Sequence, residues 1–235
     1  MPEERPPAIL AFDTAGAALS AAVCRGRRVL AGLHLPMQRG HVELLLPCVQ
    51  GVLKAAGLRL ADLDAIATTV GPGSFTGLRT GLAAAQGLAL GADLPLVGIG
   101  RYSALAASLP NPAARPLVIA FDSKARSLYV QTLGPDLQPL PGWPAEGRNL
   151  TAEEAAGALR GMNPVLAGDG APMLLAAGLE GEDTGRRALT APMVAAAAAA
   201  ELAAGRTGWP PQPLYLAPPR AKLPKDGGRL RAQAG

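Results

Sequence analysis

Aromatic residues make up only 3% of this 235-residue chain. That is too few for a surface that reads nucleic acid by stacking bases on Phe, Tyr or Trp. Cysteine is scarcer: Cys24 and Cys48 alone build neither a disulfide framework nor a thiolate zinc cage. Two histidines, His34 and His41, form no HExxH pair, and no Gly-x-Ser-x-Gly elbow occurs. A conventional catalytic set is therefore missing, and no metal site is expected. No apolar run approaches the roughly 20 residues of a membrane span, and no cationic start leads into one. The expectation is a cytoplasmic protein without membrane contact.

What is present is apolar. Hydrophobic residues reach 49% against 17% charged, which excludes disorder for most of the chain. The length allows one large domain or two small ones. The net charge of +4 is localised, since five of 22 cations and one of 18 anions fall between Arg220 and Arg231, leaving 17 of each sign elsewhere. Any electrostatic attraction to nucleic-acid phosphate would thus come from a short Gly- and Pro-rich tail, which otherwise reads as a frayed basic terminus that keeps the protein soluble.

Residues 1–7 are charged and Pro-rich, and are expected to be disordered. Ile9 to Asp13, Leu19 to Cys24 and Arg28 to His34 read as a three-strand meander with short Gly-containing turns. Leu44 to Ala56 has helical periodicity, capped by Gly57, with Pro47 either bending the helix or starting it. A buried strand, Ala65 to Val70, leads through a glycine-rich loop into the helix Leu78 to Leu90. The strand Pro95 to Gly98 and the helix Tyr102 to Leu109 complete a first lobe over residues 8–109. The prolines between Pro110 and Pro116 mark the boundary. A degraded repeat of this order fills 110–205: strands at Leu117 to Asp122, Leu128 to Leu133 and Val165 to Gly168, a helix opened by the Thr151/Glu154 capping box, and a helix from Met193 to Ala204. Residues 206–235 form an extension ending in the basic tail.

Gly71-Pro-Gly-Ser-Phe-Thr-Gly77 sits between a strand and a helix, where backbone N–H groups hold anions. Gly71, Gly73 and Gly77 permit a tight path, and Ser74 and Thr76 offer hydroxyls. The block is neither a P-loop nor a dinucleotide fingerprint, and the other reading is a rigid strand-to-helix turn that places the following helix. Asp13-Thr-Ala-Gly16 ends the first strand where phosphate-handling folds place an acid and glycines, but Ala15, Ala17 and Ala18 remove the expected donors. His41 and Glu43 sit at the entrance of the first long helix and are too few for zinc. Arg79, just inside the second helix, is open to two readings, an anion contact or a solvated helix-start arginine. The two helices flanking the loop carry more apolar surface than one sheet face needs. Leu45, Val49, Val52 and Leu53 on the first, with Leu78, Leu82 and Ala85 on the second, form the candidate interface with a partner.

Ile9-Leu-Ala-Phe-Asp-Thr14, His41-Val-Glu-Leu-Leu-Leu-Pro47 and Gly71-Pro-Gly-Ser-Phe-Thr-Gly-Leu-Arg-Thr-Gly81 closely resemble the TsaB (YeaZ) family. Weaker likenesses follow at Phe121 to Tyr129, where Ser123 and Lys124 depart from the family pattern, and at Pro213-Leu-Tyr-Leu216. The resemblance implies an α/β fold of the actin and sugar-kinase type, with two ribonuclease-H-like lobes. It implies a non-catalytic subunit in the making of threonylcarbamoyladenosine on tRNA, paired through first-lobe helices with a TsaD-like transferase subunit. A TsaE-like ATPase, self-pairing into a homodimer, tRNA bound indirectly or through the basic tail, and ATP or ADP at a shared interface belong to the same expectation. The competing readings are a stand-alone nucleotide-binding enzyme and a metallopeptidase-like protein.

Overall fold

The computed structural model describes residues 5–110 and 115–217. The chain runs β1 (Ala8–Asp13), β2 (Ala18–Arg25), β3 (Arg28–Pro36), α1 (His41–Ala56), β4 (Ala65–Gly71), α2 (Phe75–Ala92), β5 (Leu96–Gly100) and α3 (Arg101–Ala106). The second half follows as β6 (Leu117–Asp122), β7 (Leu128–Leu133), β8 (Arg148–Leu150), α4 (Ala152–Ala158), β9 (Val165–Ala167), α5 (Ala171–Ala176), β10 (Glu182–Asp183) and α6 (Ala191–Ala203). The expected basic tail, residues 1–4 of the expected disordered start and residues 111–114 of the Pro-rich join lie outside the described residues.

Two five-stranded sheets share one topology. The first has order β3-β2-β1-β4-β5 and the second, read from its other edge, β8-β7-β6-β9-β10. In each, the first three strands form an antiparallel meander and the last two add in parallel. This repeat is the ribonuclease-H-like pair of lobes expected from the sequence.

Period-two alternation sorts the strands into layers. Ile9 and Ala11 of β1 turn to one face and Leu10 and Phe12 to the other. The outer face of the first sheet is covered by α1 and α2, through Leu45, Val49, Val52, Ala85 and Ala89. The outer face of the second is covered by α4 and α5, through Ala155, Leu159, Ala171 and Leu174. Between the sheets lie α3 and α6, in a core that joins Ile9, Val97 and Ile99 to Leu117, Ile119 and Phe121. Chain order places α6 with the second lobe, but it packs on β1, β2, β4 and β5 of the first. Its first N–H, from Ala191, donates to Ser20 Oγ on β2 at 2.9 Å, which supplies the cap that the Thr190 side chain does not.

Pro47 lies inside α1 rather than at its start. It is exposed, so the hydrogen bond it removes is lost on the wet side of the helix. α1 begins at His41 behind Gly40, whose φ of 92° turns the chain out of β3, and Gly57 at φ 67° ends it with N–H bonds to Leu53 and Lys54. β8 and β10 were not expected; they are edge strands of three and two residues, too short to show an alternation.

Candidate functional site

A cleft of about 370 Å³ opens between the lobes, where the ends of β1 and β4 meet the turn after β6. Its first-lobe wall carries Gly16, His41, Gly73, Ser74, Phe75 and Arg101. Its second-lobe wall carries Phe121, Asp122, Lys124, Tyr129 and Asp169, and Tyr215 closes one side. The residues that the sequence singled out around Asp13 and the glycine loop thus do converge in space.

Several of their donors and acceptors are committed to each other. Ser74 N–H donates to the Ala15 carbonyl at 2.8 Å, and Gly77 N–H to Ser74 Oγ at 3.2 Å. Thr14 Oγ1 donates to the Gly77 carbonyl at 2.7 Å. The loop lies so close on the β1–β2 turn that a Cβ on Gly73 would meet the Ala15 carbonyl at 2.5 Å, and one on Gly77 would overlap the Thr14 carbonyl. These glycines permit close packing of backbone on backbone, and Ser74 is the helix cap. Thr76 serves the helix as well, its carbonyl accepting from Thr80 Oγ1 at 2.9 Å.

Asp13 is 3% exposed. Its Oδ1 accepts from Ala15 N–H and from Thr69 Oγ1, and its Oδ2 faces Arg101 Nε at 3.6 Å. Arg101, the first residue of α3 and 6% exposed, also donates through Nη1 to the Pro72 carbonyl at 2.9 Å and lies 4.1 Å over the Phe121 ring. Its Nη2 takes the space a side chain at Gly16 would need. A buried protein cation thus occupies the space between the β1–β2 turn and the glycine loop. On the opposite wall, Lys124 Nζ pairs with Asp122 at 2.7 Å, and Asp169 accepts the Asp122 N–H at 2.9 Å. The charges that line the cleft balance, Arg101 and Lys124 against Asp122 and Asp169, and both cations face carboxylates of the chain itself.

Arg79 is exposed, as the reading of a solvated helix-start arginine has it, but its side chain is engaged. It stacks over Phe75 at 4.0 Å and donates through Nε to Tyr215 Oη at 3.0 Å, while Phe75 and Tyr215 stack at 4.8 Å. This clamp pins the segment after α6 to the start of α2. The segment is also held by Trp209 N–H to the Gly98 carbonyl and Leu214 N–H to the Val70 carbonyl. His41 lines the cleft, but its Nε2 has no hydrogen-bond partner among the described residues, Glu43 included, and Glu43 is exposed on α1. No group of three His, Cys, Asp or Glu side chains suited to a metal occurs among the described residues. Cys24 is buried, and its thiol is pushed up to about 11 by loss of solvation, which leaves it protonated and inert near neutral pH.

The candidate interface needs correction. Leu45, Val49, Val52, Leu78, Leu82 and Ala85 are all no more than 3% exposed, and half-buried Leu53 packs against the same core. They face the sheet, because a helix lying on a sheet buries its most continuous apolar stripe there. The apolar residues left outside are their neighbours Val42, Leu44 and Leu46 on α1, exposed by 41–59%, and Leu90 on α2, exposed by 87%. Gly51 of α1 and Gly87 and Gly91 of α2 have open space above them. Sequence reasoning also missed Arg101, whose one signal is a lone cation within the apolar stretch from Leu96 to Leu109.

Residues 36–137 match the family model of tRNA N6-adenosine threonylcarbamoyltransferase, TsaD. The chain is 43% identical over 123 residues to the tRNA threonylcarbamoyladenosine biosynthesis protein TsaB of Escherichia coli, a match covering 52% of each chain. It is 40% identical over 100 residues to the tRNA N6-adenosine threonylcarbamoyltransferase of Paracoccus denitrificans, covering 42% of this chain and 28% of that one. The match thus spans about half the length of the first of these relatives. Among solved structures, YeaZ from Pseudomonas aeruginosa superposes with a TM-score of 0.71 at 25% identity, over 89% of this chain and all of that one.

Proposed function

We propose that this chain, similar to TsaB proteins in sequence over about half its length and to YeaZ in fold over most of it, serves the biosynthesis of threonylcarbamoyladenosine on tRNA as a docking subunit rather than as the catalyst. The observation that carries the reading is the outer surface of the first lobe. Val42, Leu44, Leu46 and Leu90 stand in solvent on two adjacent helices, beside glycines with nothing above them. Glycine costs an exposed helix about 1 kcal/mol relative to alanine, and three of them on one layer suit the close approach of another helix pair. A stable contact of this kind buries roughly 1,200–2,000 Å² in total.

The partner we propose is a TsaD-like transferase, itself similar to this chain, with a TsaE-like ATPase joining the assembly and a homodimer on the same helices as the alternative pairing. The close packing of the glycine loop on the β1–β2 turn and the Asp13–Arg101 pair support a non-catalytic role. ATP or ADP at a shared interface would then be gripped by the partner's groups. The test is co-purification with the transferase subunit. Wild type forms a stable complex. Leu46→Asp and Leu90→Asp, at exposed positions that keep the fold, weaken it at least about tenfold. Undiminished binding by both variants would defeat the docking surface, and no complex with wild type would defeat the role.

A further inference from the structure

We propose that the tip of the β2–β3 hairpin, Arg25-Gly26-Arg27-Arg28, is a binding site for the phosphate backbone of RNA; the choice of RNA rests on the function proposed above. Arg25 and Arg28 are directly paired across the two strands, and Gly26, at φ 54°, is the first of the two turn residues between them. Like charges placed opposite each other on antiparallel strands repel. No carboxylate among the described residues relieves them: none of the three arginines has an ion pair or side-chain hydrogen bond. The nearby acids are engaged, Asp62 by Arg59 and Asp64 by the Ala8 N–H and Arg5. Asp93 precedes β5, three to four strand spacings away, or roughly 14–19 Å.

The cluster is larger than the turn. α1 starts beside the cleft and runs about 24 Å back across the sheet, so exposed Lys54 in its last turn comes to the hairpin's end of the lobe. The turn is also buttressed: Gly26 N–H donates to the Pro7 carbonyl at 3.3 Å, and Pro6 packs against it. A braced display of guanidinium forks suits phosphate oxygens, which arginine grips with two parallel bonds. A lipid surface is the poorer match, because Val29 is the one exposed large hydrophobic residue at the tip among the described residues. The site lies roughly 25 Å from the inter-lobe cleft, the length of β2, and is separate in sequence from the basic tail.

The test is fluorescence anisotropy of the full chain with an unmodified tRNA transcript between 50 and 200 mM KCl. The triple variant Arg25→Gln/Arg27→Gln/Arg28→Gln is expected to bind about tenfold more weakly at 100 mM. The slope of log affinity on log salt should fall by about one for each phosphate the variant no longer neutralises. Its melting temperature should match or exceed that of wild type, because the cross-strand repulsion is gone. A chain truncated after Pro219 should keep the hairpin-dependent part of the binding. The proposal is overturned if wild type does not bind, if the triple variant keeps the wild-type affinity and slope, or if the substitutions abolish binding to phosphatidylserine vesicles while RNA binding is unchanged. Co-purification of the triple variant with the transferase separates this site from the docking surface, since only the latter depends on Leu46 and Leu90.

Discussion

Asp13 and Arg101 meet with their side chains almost wholly out of water. A buried charge that loses its partner is costly, on the order of 3–5 kcal/mol, whereas removing both charges together is often close to neutral. The two ends are not equivalent. Asp13 keeps its bonds from Ala15 and Thr69 when Arg101 is gone, whereas Arg101 is left with the Pro72 carbonyl and the Phe121 ring. Asp13→Asn and Arg101→Met should each lower the free energy of urea unfolding, Asp13→Asn by more. The double variant should lose less than the sum, and strict additivity would show that the pair carries no coupling. Asp13 was legible in the sequence because an acid that ends an apolar strand is conspicuous. Arg101 was not, because its partner is 88 positions away and no spacing rule links a strand end to a helix start on another strand's loop.

Helix α2 shows how one residue type carries opposite signs along a single element. Gly77 faces the β1–β2 turn and has no room for a methyl group, whereas Gly87 looks out on open space. Gly77→Ala should cost about 3 kcal/mol or more by forcing the helix off the turn. Gly87→Ala should add about 0.5–1 kcal/mol by removing a flexible residue from a helix interior. Urea unfolding of both variants checks the pair, and equal effects would contradict the packing described. Periodicity found this helix but set its start at Leu78, three residues late, because the cap at Ser74 works through a hydroxyl and a loop that carry no apolar signal. The same periodicity found the apolar stripe of α1 and missed its direction. When Val42, Leu44, Leu45 and Leu46 crowd one turn, sequence alone does not say which of them the sheet takes.

At the scale of the whole molecule, the lobes are joined through a shared interior rather than by a linker. α6 is the main reason, filling the space beneath the first sheet with Val194, Ala195 and Ala198. A chain ending at Leu189 should therefore lose its cooperative thermal transition altogether. A first lobe that still melts cooperatively without α6 would show that the lobes fold independently. Chain order made the two lobes visible but assigned α6 to the wrong one, since an alanine-rich helix fits either sheet and only the three-dimensional path decides. The route of that helix also sets a timetable for synthesis. The first sheet is complete once β5 has left the ribosome, yet the helix that seals its underside is translated about a hundred residues later, a delay of roughly 5–20 s at ordinary elongation rates. Throughout that interval the nascent chain presents bare hydrocarbon on a finished sheet, which makes it a natural client for a holding chaperone. Its yield in a cell would then follow the pace of translation more closely than the stability of the finished protein.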